Sequence, residues 1–151
     1  MADLSLITFD ATEFLRRLEL LNVRFDARAE RALGKVGLQW LHDAIMLPPT
    51  VPLDEGTLRG SGSVHLSGRL VHTSPRPGGQ GTPNTDPVPA EGGKRFVVVG
   101  FNTAYAAHLH ELAHHFQEPS AGTGYLGPKG VSRASFYRDH ILGPELKGLT
   151  A

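Results

Sequence analysis

Between residues 10 and 46, apolar side chains recur at steps of three and four: Phe14, Leu18, Leu21, Phe25, Ala29, Leu33, Val36, Trp40 and Ala44. That is the period of one helix face, so the spacing predicts a long helical region with this row turned toward a core. Asp10 with Glu13 three residues later forms a capping-box pattern, with Asp10 as N-cap. The opposite face carries Arg16, Arg17, Glu19, Arg24, Arg28, Glu30, Arg31 and Lys35, and reads as solvated helix surface. Two features weigh against one unbroken rod. Asp26 can cap a second helix after a break near Asn22, and Gly34 and Gly37 lower helix propensity. Pro48-Pro49 ends the element.

After residue 50 the pattern changes. In Pro52–Ser61, Asp54 can close a turn, Gly56 can take positive φ, and Leu58 can anchor the turn to a core. Residues 62–73 read as a strand through Val64, Leu66, Leu70 and Val71, with Gly68 marking a bulge. Half of residues 74–93 are proline or glycine, so this stretch reads as a flexible protruding loop between paired strands. Residues 94–101 form the clearest strand, through Phe96, Val97, Val98 and Val99. Asn102 can cap a short helix over 103–116. An extended piece, Gly124-Tyr125-Leu126, precedes Pro128, and a C-terminal helix is expected over 132–147, with Gly143-Pro144 breaking it early. The expected fold is α+β in a single domain of residues 1–151: a long N-terminal helical region packed on a small antiparallel sheet, with a short helix and a C-terminal helix.

Composition narrows the function classes. Fifteen basic residues balance fifteen acidic ones, so the bulk basic excess of a nucleic-acid binder is missing. Zero net charge does little to hold copies apart, which suits a protein that ends in an assembly. Cysteine is absent, which removes disulfides, thiolate metal sites and cysteine nucleophiles, and fits a reducing compartment. No apolar run reaches the ~18 residues of a membrane span, and the first residues lack the charged and apolar regions of a secretion signal.

One short motif carries candidate chemistry. His110-Glu111-Leu112-Ala113-His114 matches HExxH, in which two histidines one helical turn apart hold zinc and the glutamate activates a bound water. The alternative reading of the chain is therefore a zinc-dependent hydrolase using His110, His114 and Glu111. The extended form of that motif fails, because Gln117 stands where a glycine is needed and Ser120 where a third histidine is needed. Glu118, Asp139 and His140 are the other candidate ligands, none at a diagnostic spacing. GxSxG and P-loop patterns are missing, so no catalytic residue and no cofactor are assigned.

Three segments in order resemble a known family. Pro52-Leu53-Asp54-Glu55-Gly56-Thr57-Leu58-Arg59-Gly60-Ser61 is similar to the P-x-D-T-G-x-L-R-x-S segment of tailed-phage tail-completion and minor capsid (head–tail joining, neck) proteins. Val99-Gly100-Phe101-Asn102-Thr103-Ala104-Tyr105-Ala106-Ala107-His108-Leu109-His110-Glu111 resembles the family's V-G-x-x-x-x-Y-A-x-x-x-H-E stretch. Gly122-Thr123-Gly124-Tyr125-Leu126-Gly127-Pro128 is comparable to G-x-x-Y/F-L-x-x-P, with proline one place early. Glu55 replaces the usual threonine, and the 74–93 insert is longer than the family pattern. The resemblance spans about residues 10–145 and implies a non-enzymatic virion protein, assembled in the host bacterial cytoplasm. It implies a ring of copies that contacts neighbouring neck, connector or tail proteins, with genomic DNA passing through the lumen and no membrane partner. The contact residues expected on this reading are Arg59, Tyr105, His110, Glu111 and Tyr125. His110 and Glu111 then belong to the family pattern, and only His114 completes HExxH by coincidence.

Overall fold

A computed structural model describes residues 12–53, 56–74, 81–89, 95–111 and 119–147, the side chain of Phe14 aside. The fold is α+β. Helix α1 (Thr12–Met46) leads into a short turn of helix, α2 (Thr57–Gly60), then strands β1 (Gly62–Leu66), β2 (Arg69–Thr73) and β3 (Val97–Phe101). Short helices α3 (Ala106–Glu111), α4 (Gly127–Ser132) and α5 (Ala134–Tyr137) follow, then a π-helical turn (Arg138–Leu142) and α6 (Gly143–Leu146). The three strands form one antiparallel sheet in the order β2-β1-β3.

α1 runs without a break, so Asp26 caps nothing and instead pairs with Arg95 at 2.9 Å. The expected cap Asp10 lies outside the described residues. Gly37 is what brings helix and sheet together. A Cβ there would sit 2.5 Å from both Val64 Cγ1 and Val97 Cγ2, so only glycine permits this approach. Leu41, Val64 and Val99 form the buried centre of that contact, with Trp40, Ile45 and Val97 packed around them.

The span 62–73 is two strands. Ser67 (φ 48°) and Gly68 (φ 89°) both take positive φ and make a two-residue hairpin turn, with Leu66 opposite Arg69. Two left-handed residues in sequence match the right-handed twist of the strands they join, so glycine marks a reversal here and no bulge. β1 is therefore central, and the register shift lies elsewhere, between Val64 and His65.

The 74–93 stretch also departs from the expected free loop. Its described part, residues 81–89, lies across the sheet face away from α1. Val88 N–H donates to Gly68 O at 2.9 Å, Asn102 Nδ2 donates to Thr82 O at 3.2 Å, and His65 Nε2 lies 3.1 Å from Asp86 O. Backbone polar groups thus hold a segment too poor in apolar surface to anchor itself. Because Asn102 is used in this way and α3 begins only at Ala106, Asn102 does not cap the helix.

The expected helix over 103–116 is described from Ala106 to Glu111, and residues 112–116 lie outside the description. Gly124-Tyr125-Leu126 is a turn, and helix begins at Gly127, with Pro128 in the first turn, five residues before the expected start. Gly143-Pro144 does not stop it. Proline has no N–H for His140 O, and the chain widens into a π turn in which Gly143 N–H reaches Arg138 O.

A buried polar cluster fixes this C-terminal region to α1. Asp43, 1% exposed, accepts hydrogen bonds from Gln39 Nε2 (2.8 Å), Arg133 Nε (3.0 Å) and Tyr137 Oη (2.9 Å). Lys129 closes the helix end, with its ammonium donating to the carbonyls of Asp43 (3.0 Å), Pro49 (2.6 Å) and Leu47. A cation at the negative end of a helix dipole satisfies carbonyls that have no partner within the helix. Burial pulls the Lys129 pKa below the ordinary lysine value, against the attraction of Asp43. Burial works against the Asp43 carboxylate as well, but the three hydrogen bonds outweigh it and hold the pKa below the usual range.

Candidate functional site

The three sequence segments that carry the family resemblance meet in one place. Leu58 from the first, Phe101, Ala106 and Leu109 from the second, and Tyr125 and Leu126 from the third share a cluster with Ala44 and Val51. Gly56, at φ 82°, turns the chain so that α2 presents Leu58 inward. Ser61 O accepts Asn102 N–H at 3.2 Å, joining the first segment to the second. Tyr125 joins the second to the third. Its hydroxyl donates to Ala106 O at 2.8 Å, and its ring stands edge-on to Phe101 (5.8 Å) and His110 (4.9 Å). Burial, with a smaller contribution from Tyr105, pushes the Tyr125 phenol up to about 12.

His110 is part of the same joint. Its Nε2 lies 3.2 Å from Gly127 N, an arrangement in which the ring nitrogen accepts the backbone N–H, and its own carbonyl accepts Gly124 N–H at 2.9 Å. The Nε2 lone pair that would bind zinc is thereby engaged with the protein backbone. Glu111 is exposed, and His114 lies outside the described residues. Among the described residues, no three His, Asp or Glu side chains stand together as a metal site.

The expected contact residues divide. Tyr105, 43% exposed, and Glu111 are on the surface, and His110 is half-buried. Tyr125 is 1% exposed, so its place among the contacts is corrected: it is an internal packing residue. Arg59 is half-buried, and its Nε donates to Val51 O at 2.7 Å, tying α2 to the chain that leaves α1.

Two features went unread in the sequence. A groove of about 550 Å³ gathers His42, His72 and His140 with Leu38, Ile141 and the Lys35–Glu145 ion pair. No spacing links these histidines, since they come from α1, β2 and the π turn. The second feature is the start of α1. From Thr12 to Phe25 every described side chain is exposed, including Leu15, Leu18, Leu20, Leu21, Val23 and Phe25. The signal for it was in the sequence, because Leu20 and Val23 lie off the apolar row and give the helix apolar residues all round. No helix among the described residues is long and apolar enough to cross a membrane. No protein-family model, curated protein or solved structure matches the chain.

Proposed function

We propose that the chain is a structural protein of a tailed phage or a phage-derived particle, a ring-forming tail-completion or head–tail joining component of the neck. It acts by fitted surfaces and breaks no bond. Its partners are copies of itself and the adjoining neck, connector or tail proteins, with DNA passing through the lumen. The observation that supports this reading is the convergence of the three resemblance segments. Three motifs that are each short and unspecific fill one cluster built on Leu58, Phe101 and Tyr125, as parts of one inherited joint would. The bare apolar start of α1 is a second support, since it suits a subunit completed by neighbours.

The zinc-hydrolase alternative has less support, because His110 Nε2 already holds Gly127 N–H. Protein purified without a histidine tag is expected to carry no stoichiometric zinc. Peptide hydrolysis that needs zinc and is lost in Glu111→Gln would reverse the choice. The neck reading itself is tested in particles. Mass spectrometry of purified virions should find the chain in fixed copy number, and its deletion should yield separate heads and tails. Complete infectious particles without the protein would sink the proposal.

A further inference from the structure

The apolar row that seals α1 onto the body does not stop where the body stops. Ala32 and Val36 are buried, Trp40 is half-buried, and toward the N-terminus the same row passes through Ala29 to Phe25, Leu21, Leu18 and Leu15. Those last four are 41–60% exposed. A second row, Leu20, Val23 and Ala27, also at steps of three and four, lies about 180° around the helix from the first. Leu20 is 47% exposed and Val23 61%. The first fourteen residues of the helix, about 20 Å at 1.5 Å per residue, thus carry two apolar faces pointing in opposite directions.

A helix apolar on opposite sides is normally enclosed on both. Six large apolar side chains within eleven residues, each 41–61% exposed, go beyond the singly scattered apolar residues of an ordinary monomer surface and mark an interaction surface. A lipid surface covers one face only and favours a strongly cationic second face. Here Glu13 bridges Arg16 (2.9 Å) and Arg17 (3.0 Å), so the tip carries little cationic excess for lipid or nucleic acid. Copies of this chain are not driven apart by charge, since the formal net charge is zero.

We infer that the occupant of both faces is the same segment of other copies of this chain, with the Leu18–Phe25 face of one copy packing on the Leu20–Val23 face of the next. The contact joins two different surfaces, so each copy has one neighbour on either side. Such a head-to-tail contact closes into a ring when its rotation permits, and otherwise grows into a filament. The inference deepens the neck proposal and rests on it for ring closure. It also explains why a second apolar face exists at all, because a symmetric dimer needs only one.

The test uses the full chain and two double substitutions: Leu18→Glu with Phe25→Glu on the first face, and Leu20→Glu with Val23→Glu on the second. Native mass spectrometry and light scattering read the assembly state, and circular dichroism verifies that each variant stays folded. Wild type should form species larger than a dimer, and each variant alone should be monomeric. An equimolar mixture should give a one-to-one heterodimer and nothing larger, because each variant supplies the face the other lacks. Four results would overturn the inference. The second-face variant alone forming dimers would show that the first face pairs with itself. Wild type remaining monomeric at high concentration would remove the occupant. Wild type binding anionic vesicles through the tip without self-association would assign the faces to lipid. Assembly unaffected by either double substitution, in a protein found in particles, would sink this inference alone. Tip-dependent assembly of a protein absent from particles would sink the neck reading alone.

Discussion

The two halves of α1 carry one apolar row in two different surroundings. From Ala32 onward the row is pressed onto β1 and β3, Gly37 removes the last obstacle, and Asp43 and Lys129 fasten the helix end to the C-terminal helices. From Leu15 to Phe25 the side chains of the row are exposed. The difference separates two jobs that the same periodicity encodes. The C-terminal half holds the subunit together, and the N-terminal half carries the exposed apolar faces that the inference above gives to neighbouring copies. Substitutions in the C-terminal half should therefore register as stability, and substitutions in the N-terminal half as association.

The largest expected effect is at Asp43. Replacing it in Asp43→Asn removes a buried charge that Arg133 and Tyr137 both use, and leaves Arg133 without its anion. Breaking a buried pair from one side costs about 3–5 kcal/mol; Arg133 is partly exposed, so the lower end, about 3 kcal/mol, is expected. Chemical denaturation of the subunit should read that loss, and a change well under 1 kcal/mol would mean that the cluster fastens nothing.

Gly37→Ala sets two opposed effects against each other. Alanine favours helix over glycine by about 1 kcal/mol. Against that, a methyl 2.5 Å from two valine methyl groups requires the helix to lift from the sheet, and overpacking of this kind costs about 1–3 kcal/mol. The balance is a destabilisation of about 1 kcal/mol. Gly34→Ala is the control: its nearest neighbour would be Leu66 Cδ2 at 3.6 Å, an ordinary contact, so the propensity gain should stand alone. Equal effects at the two glycines would contradict the close approach.

How much of this was legible in the sequence follows from what each pattern depends on. α1 and β3 were readable because their apolar periodicity reports burial directly. Gly68 was seen but misread, since a lone glycine in a strand pattern fits a bulge or a turn, and only the pairing of Leu66 with Arg69 decides. Residues 81–89 were misread because composition counts apolar area, while that segment is held through its own backbone groups, Val88 N–H on Gly68 O and Thr82 O under the Asn102 side-chain amide. Asp43 sat on the apolar face, one residue before Ala44, and a carboxylate there was a usable sign of a buried partner. Lys129, 86 residues away, could not be matched to it by spacing. At the candidate site the residues were readable and their roles were not: Tyr125 was expected on the surface because tyrosine favours interfaces, yet its ring fills the core.

Alkaline pH provides a smaller and graded way to loosen the body alone. The folded-state pKa of Tyr125 is raised to about 12, from an ordinary value of 10.0, first by burial and then by Tyr105. A raised folded pKa means that the neutral form is preferred in the fold, so the stabilisation is complete below the unfolded pKa. It is then lost as pH rises from about 10 toward 12. Tyr137 is shifted in the same direction, by burial and by Asp43. Thermal midpoints should hold to about pH 10 and fall beyond it, and Tyr125→Phe should flatten part of that fall while losing the bond to Ala106 O. A flat profile to pH 12 would mean that the phenol is not enclosed.

The smallest expected change in subunit stability is the one that matters most to the comparison. Leu18→Glu exchanges two good helix formers at a site 41% exposed, so it should move the monomer's stability by no more than about 0.5 kcal/mol. The matching change in the same row, Val36→Glu, places a charge at a position 8% exposed against the core, where burial of an unpaired carboxylate prevents stable folding. Identical chemistry on one helix row then gives opposite results, and the dividing line falls between Phe25 and Ala32. Measured under conditions that keep the wild type monomeric, a loss of several kcal/mol at Leu18 would place a partner from the same subunit on that face. The exposed half of α1 would then be part of the fold, and the separation of the two jobs would fail.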